Sequence, residues 1–152
     1  MDIEKTVQCD ASPAHIWQLL LDPELMAGCV PGVQSVEVLS ADEYLATIKV
    51  KISFVTASFK IRTTLTERRE PTYLRCEGQG EDAALASKLK HQTELFLSAN
   101  DAGGCELKIV SHVDVLGRVG NFGLSAMKTK VDRMWDEFCV ALHGKLTASV
   151  GG

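Results

Sequence analysis

The chain has 152 residues, 45% of them hydrophobic and 24% charged, with a formal net charge of -4. That length suits a single domain, residues 1–152, with one sizeable core, and the acidic balance argues against nucleic acid as a partner. No apolar run approaches the roughly 20 residues that span a bilayer, and Met1-Asp2-Ile3-Glu4-Lys5 is charged where a secretion signal would be apolar.

Ile3 to Cys9 reads as a first strand. Ser12 followed by Pro13 gives an N-cap and a first-turn proline, and Ala14, Trp17, Leu20 and Leu21 supply a helical apolar face, so a helix is expected over 12–21. Asp22-Pro23-Glu24 repeats the capping chemistry at once. A short helix follows whose apolar content is Leu25, Met26 and Val30, closed by the turn residues Pro31-Gly32. A greasy two-turn helix between strands suits a lid, and Leu25, Met26, Val30 and Pro31 are the expected cavity mouth.

Alternation takes over from Val33. Tyr44, Ala46, Ile48, Val50 and Ile52 share one face, and Ala57, Phe59, Ile61, Thr63 and Leu65 repeat the pattern. Leu74, Cys76 and Gly78 follow. Leu85, Ser87, Leu89, His91, Thr93, Leu95 and Leu97 then point inward, and Leu107, Ile109, Ser111, Val113 and Val115 do so in the last strand. Period two with one polar face means an antiparallel sheet covered on one side. Glu70 to Thr72 and Asp101 to Gly104 are natural hairpin turns.

After Gly117 the period changes to that of a helix. Leu124, Met127, Val131, Met134, Phe138 and Leu142 fall in a narrow arc, which predicts a long amphipathic helix over 122–145 with Asn121 as its N-cap. A curved sheet must bury its apolar face, and this helix is the only large cover. A straight helix cannot touch a strongly curved sheet everywhere. Phe59 is the one aromatic among the confidently inward strand positions, while Ala46, Ala57 and Gly78 are small, so the uncovered space is expected to be a cavity. Its expected lining is Ala46, Ile48, Val50, Phe59, Ile61, Thr63, Leu74, Leu89, His91 and Ser111 from the strands, with Phe122, Met127 and Val131 from the final segment.

Three stretches, IWQLLLDPELMAGCVPGVQSVE (16–37), LTERREPTYLRCEGQG (65–80) and GRVGNFGLSAMKTKVDRMWDEF (117–138), resemble the carbon-monoxide dehydrogenase G-subunit (CoxG) family. That family lies within the SRPBCC superfamily, the helix-grip fold shared by START domains and birch-pollen-type allergens. With the strand order, the resemblance covers essentially the whole chain. It implies an α+β fold: a curved antiparallel seven-stranded sheet wrapped around a long C-terminal helix, with two short helices after the first strand. It also implies a cavity for a lipophilic molecule, here expected to be a quinone, and no catalytic machinery. The implied partner is an aerobic molybdenum-containing CO dehydrogenase-type enzyme, linked to the membrane and its quinone pool. Two departures stand out. Many relatives carry a hydrophobic C-terminal tail, whereas this sequence stops at Gly152, so anchoring by a tail is not expected. Many also have a Gly-Pro turn near residue 53, where this chain reads Ser53-Phe54-Val55-Thr56.

The chemistry-bearing residues are sparse. His15, His91, His112 and His143 lack metal-ligand spacing, so no metal site and no required cofactor are expected. Alternation points His91 inward, either to hydrogen-bond a quinone carbonyl or hydroxyl, or to serve structurally by bonding Ser111 or Thr93. Gly117, Gly120 and Gly123 are not a dinucleotide fingerprint, because spacing and context are wrong. Cys9, Cys29, Cys76, Cys105 and Cys139 are odd in number and dispersed, which suits free thiols in a reducing cytoplasm. The carrier reading competes with a small cyclase- or hydrolase-like enzyme acting on a hydrophobic substrate in the same cavity, since fold does not fix function. Finally, Lys49, Lys51, Lys60, Arg62, Arg75, Lys88 and Lys90 all point outward from the sheet. This basic face is expected either to be a solvated surface or to dock on an anionic surface, lipid headgroups or an acidic partner subunit; the expected location is the cytoplasm, and the lipid version adds peripheral contact at the inner face of the cell membrane.

Overall fold

The computed structural model describes residues 1–52, 54–101 and 103–151, with the side chains of all but Leu124 and residues 147–151. The first strand, β1, spans Asp2–Cys9 and is followed by α1 (Pro13–Leu20) and α2 (Pro23–Gly28). Both helices begin as their sequences dictate. Ser12 Oγ accepts from the His15 N–H, Asp22 Oδ1 accepts from the Glu24 and Leu25 N–H groups, and a proline occupies each first turn.

Six strands follow: β2 (Val33–Ser40), β3 (Glu43–Ile52), β4 (Val55–Arg69), β5 (Tyr73–Asp82), β6 (Ser87–Ala99) and β7 (Cys105–Gly117). They pair antiparallel in the order β1-β7-β6-β5-β4-β3-β2, so the first strand closes onto the last. A short 3-10 turn (Gly120–Phe122) leads into α3 (Leu124–Gly151).

The start of α3 corrects the sequence expectation. Asn121 is not its N-cap, because it lies inside the 3-10 turn. Gly123 then adopts φ 97, a left-handed conformation that interrupts any helix, and the Met127 N–H donates to the Gly123 carbonyl. The helix therefore starts after Gly123 and continues beyond residue 145.

The core divides in two. One cluster joins α1 and the C-terminal half of α3 to the sheet through Trp17, Ile16, Leu107, Ile109, Leu142 and Leu146. The other lies on β3 and β4 around Phe59, Ala57, Ile61 and Ala46, and meets Met127 and Val119. Lys5 of β1 fastens the middle of α3 at this boundary, its Nζ 2.8 Å from both Asp132 and Asp136. Between the two clusters the helix stands away from the sheet.

Candidate functional site

That gap is a half-enclosed cavity of about 220 Å³. An apolar cavity of about 150 Å³ already holds a benzene-sized molecule. Its walls are Tyr44, Ala46, Ile48, Val50 and Ile52 of β3, Phe59, Ile61 and Thr63 of β4, Leu89, His91, Thr93 and Leu95 of β6, and Val113 and Val115 of β7. The cover is Met127, Lys130, Val131, Met134, Trp135 and Phe138 of α3 together with Met26, Ala27, Val30 and Pro31. Strand β5 contributes only Cys76, because its next inward positions are Gly78 and Gly80.

Gly78 is needed for a definite reason. It lies between Thr63 and His91 in the sheet register, and a Cβ built on it would sit 2.2 Å from His91 Nε2. The imidazole lies across this bare backbone, and Nε2 reaches Thr63 Oγ1 at 3.2 Å. Its other nitrogen, Nδ1, is 3.2 Å from Thr93 Oγ1, which in turn is 2.9 Å from Ser111 Oγ. A row of polar groups therefore crosses an otherwise aliphatic floor.

Burial pushes the His91 pKa down to about 4, so the ring is neutral at physiological pH. A neutral ring donates at one nitrogen and accepts at the other. The row thus has a direction, and reversing it moves a proton on every member. Burial also pushes the Cys76 thiol up to about 12 and raises the Tyr44 phenol, so both keep their protons. Among the described lining residues only Lys130, at the half-exposed rim, carries charge. No group of His, Cys, Asp and Glu among the described residues can hold a metal ion.

Of the residues expected from sequence, the cavity brings together Ala46, Ile48, Val50, Phe59, Ile61, Thr63, Leu89, His91, Met127 and Val131, with Met26, Val30 and Pro31 of the expected mouth. Four lie elsewhere. Leu74 belongs to the core under α1 and α2, where it borders a separate small pocket with Leu20 and Leu65. Ser111 is fully buried behind Thr93 and meets the cavity only through that hydroxyl. Phe122 turns toward Phe54, edge to face with centroids 6.4 Å apart. Leu25 packs on the α1 core. His91 bonds Thr93 directly, but its second partner is Thr63 rather than Ser111.

Sequence reasoning left Ile52, Cys76, Thr93, Leu95, Val113 and Val115 out of the site, although alternation puts all of them on the inner face. Period two gives the face of a strand but not the level along it at which the covering helix lifts away. Lys130 and Trp135 were missed because the cover was read from the centre of the helical stripe, and a cavity also sees its edges, whereas Phe138 lies on the stripe and serves the first core cluster and the cavity at once.

No curated protein matches this sequence significantly. Among solved structures, the fold resembles a conserved protein from Geobacillus kaustophilus (TM-score 0.83, 18% identity, covering 96% of this chain and 95% of that one). It also resembles a START superfamily protein from Mycobacterium smegmatis (TM-score 0.70, 15% identity, 95% and 96% covered). A third likeness is the Zhui aromatase/cyclase from Streptomyces sp. R1128 (TM-score 0.68, 17% identity, 96% and 93% covered). At these identities the likeness is one of fold, the START-like helix-grip fold. The sequence model of the carbon monoxide dehydrogenase G-subunit (CoxG) family matches residues 6–147, nearly the whole length, and the chain belongs to that family.

Proposed function

We propose that the protein is a non-enzymatic carrier of a lipophilic molecule, a prenylated quinone, and an accessory to a molybdenum-containing CO dehydrogenase-type enzyme at the membrane. The observation that carries the ligand half of this reading is the cavity: aliphatic walls broken at one level by Thr63, His91 and Thr93. Such a surface suits a neutral, elongated molecule with a carbonyl or hydroxyl that meets the polar row. Each buried methylene contributes about 0.8 kcal/mol, so one prenyl unit adds about 4 kcal/mol before the costs of association. A carboxylate is disfavoured at the depth of His91, where no cation faces it. Family membership supports the enzyme half.

The competing enzyme reading draws on the aromatase/cyclase likeness. Acid–base catalysis needs a group poised near working pH. Here the one imidazole in the cavity is held neutral with both nitrogens bonded to threonine hydroxyls, and Tyr44 and Cys76 are held protonated. This favours a carrier.

Native mass spectrometry of protein extracted gently from its own host tests the proposal by weighing what is bound. A neutral lipophilic adduct with the mass of a prenylated quinone is expected. A charged or hydrophilic adduct, or a protein that stays empty when offered prenylated quinone, would refute it.

A further inference from the structure

One end of the molecule exposes apolar side chains for which packing gives no reason. Phe54, in the turn between β3 and β4, is 87% exposed, and Leu116, near the end of β7, is 60% exposed. Strand register puts them at the same end. Ile52 pairs with Val55 across the first turn, Asp82 with Ser87 across the β5–β6 turn, and Ser87 with Gly117. The Phe54 ring meets Phe122, which packs with Val50 and Met127 on the apolar cluster at this end of the cavity.

The same end gathers five cations. Lys49 and Lys51 lead into the Phe54 turn, Lys60 and Lys88 flank the neighbouring strands, and Arg118 follows Leu116. None of these five makes an ion pair among the described residues. The local acids are mostly occupied. Asp82 accepts from the Ser58 and Leu85 N–H groups at 2.7 and 3.1 Å, and Asp114 faces His112 and the Met1 ammonium. Among the described residues Glu81, registered between Lys60 and Lys88, offsets them. Farther along the sheet, Arg62, Arg68, Arg69 and Arg75 are all paired, with Glu43, Asp42, Glu67 and Glu77. The outer face is therefore not uniformly basic. Its free positive charge lies toward the Phe54 end, on a chain whose net charge is -4.

We infer that this end docks on an anionic lipid bilayer, with Phe54 and Leu116 seated in the interface and Lys51, Lys88 and Arg118 on the headgroups. Apolar anchors ringed by cations suit that surface: burial supplies one part of the affinity and charge the other. The docking stands independently of the carrier reading. If both hold, the end of the cavity nearest Phe54 and Phe122 faces the hydrocarbon from which a lipophilic ligand comes.

Flotation with vesicles of equal parts phosphatidylglycerol and phosphatidylcholine, against phosphatidylcholine alone, tests this. The wild type floats with the anionic vesicles at low salt and not with the zwitterionic ones. Phe54→Ser weakens partitioning about fivefold, and the Lys51→Glu, Lys88→Glu pair weakens it more than tenfold. Lys145→Glu, about 30 Å away along α3, leaves it unchanged. Circular dichroism melts of Phe54→Ser match the wild type, because the side chain is in solvent. In Phe54→Trp, the added fluorescence shifts to the blue on anionic vesicles only. A wild type that ignores anionic vesicles overturns the inference, as does equal flotation of the wild type and both end variants. A surface that captures an acidic protein while ignoring lipid overturns it as well.

Discussion

Gly78→Ala puts the polar row under direct stress. The new methyl would lie 2.2 Å from His91 Nε2, 2.7 Å from its Cδ2 and 2.8 Å from Thr63 Oγ1. Ordinary contact begins at about 3.4 Å, so the ring must retreat by about 1.2 Å. The imidazole is rigid and tied at both nitrogens, so that shift breaks its bonds to Thr63 and Thr93. Two hydrogen bonds at about 1 kcal/mol each and an overpacking cost of about 1–3 kcal/mol are offset by about 0.5–1 kcal/mol for replacing glycine in a strand. The net loss is about 3 kcal/mol. In a His91→Ala background the main obstacle is gone and the same methyl costs under about 1 kcal/mol. Urea unfolding followed by tryptophan fluorescence, with Trp17 buried in the core as reporter, gives the four stabilities of this cycle. The expected coupling is about 2 kcal/mol. Additivity within about 0.5 kcal/mol would mean that Gly78 and His91 do not depend on one another and that the bare backbone is not what seats the imidazole.

Four further outcomes follow from the same geometry. Because burial lowers the His91 pKa from 6.5 to about 4, the unfolded chain takes up this proton first as pH falls; its contribution is intact above pH 6.5 and is lost toward pH 4, by up to about 3 kcal/mol, and His91→Gln should show that much less acid sensitivity in urea midpoints. Val50→Trp fills the cavity from a half-buried wall position and should abolish binding of a prenylated quinone while the protein still melts cooperatively. All five thiols are free, so denatured protein should take five alkyl groups, whereas in the native state quinone should slow alkylation of Cys76, the one cysteine on the cavity wall, and not that of Cys139. Amide exchange over residues 22–32 should be fast in the empty protein and slower with quinone bound, and equal protection in both states would remove the lid role of α2.

The element order was legible because each element is locally consistent. Ser12-Pro13 and Asp22-Pro23 are caps that act as caps, and alternation from Tyr44 to Ile52 and from Ala57 to Leu65 puts those side chains where the sheet has them. The start of α3 was not legible. Asn121 has the right chemistry for a cap, but the φ of Gly123 decides the boundary, and glycine tolerates either sign. At the site, inward-facing residues were readable and their depth was not. Leu74 and Cys76 are two residues apart on the same face, yet one is core and the other is cavity wall, because α1 and α2 cover the first. The role of Gly78 needed the register of three strands, which no local pattern carries.

The two covers of the cavity are not equally free to move. The C-terminal half of α3 is fixed by Leu142 and Leu146, both almost fully buried, and its middle by Lys5 bridging Asp132 and Asp136. Lifting α3 would expose the first core cluster and break that bridge together. By contrast, α2 has six residues, buries only Ala27 fully, and rests on its Asp22 cap and on partly exposed apolar contacts. An isolated helix that short has almost no stability of its own, so it opens at far lower cost than the helix opposite. Met26, Val30 and Pro31 would then leave the cavity as one unit, hinged at the Asp22 cap and at Gly32. The φ of 82 at Gly32 and its hydrogen bond from the Lys49 N–H hold the start of β2 in place. On the carrier reading, the short apolar helix after α1 is the cover whose opening would disturb neither the sheet nor the long helix.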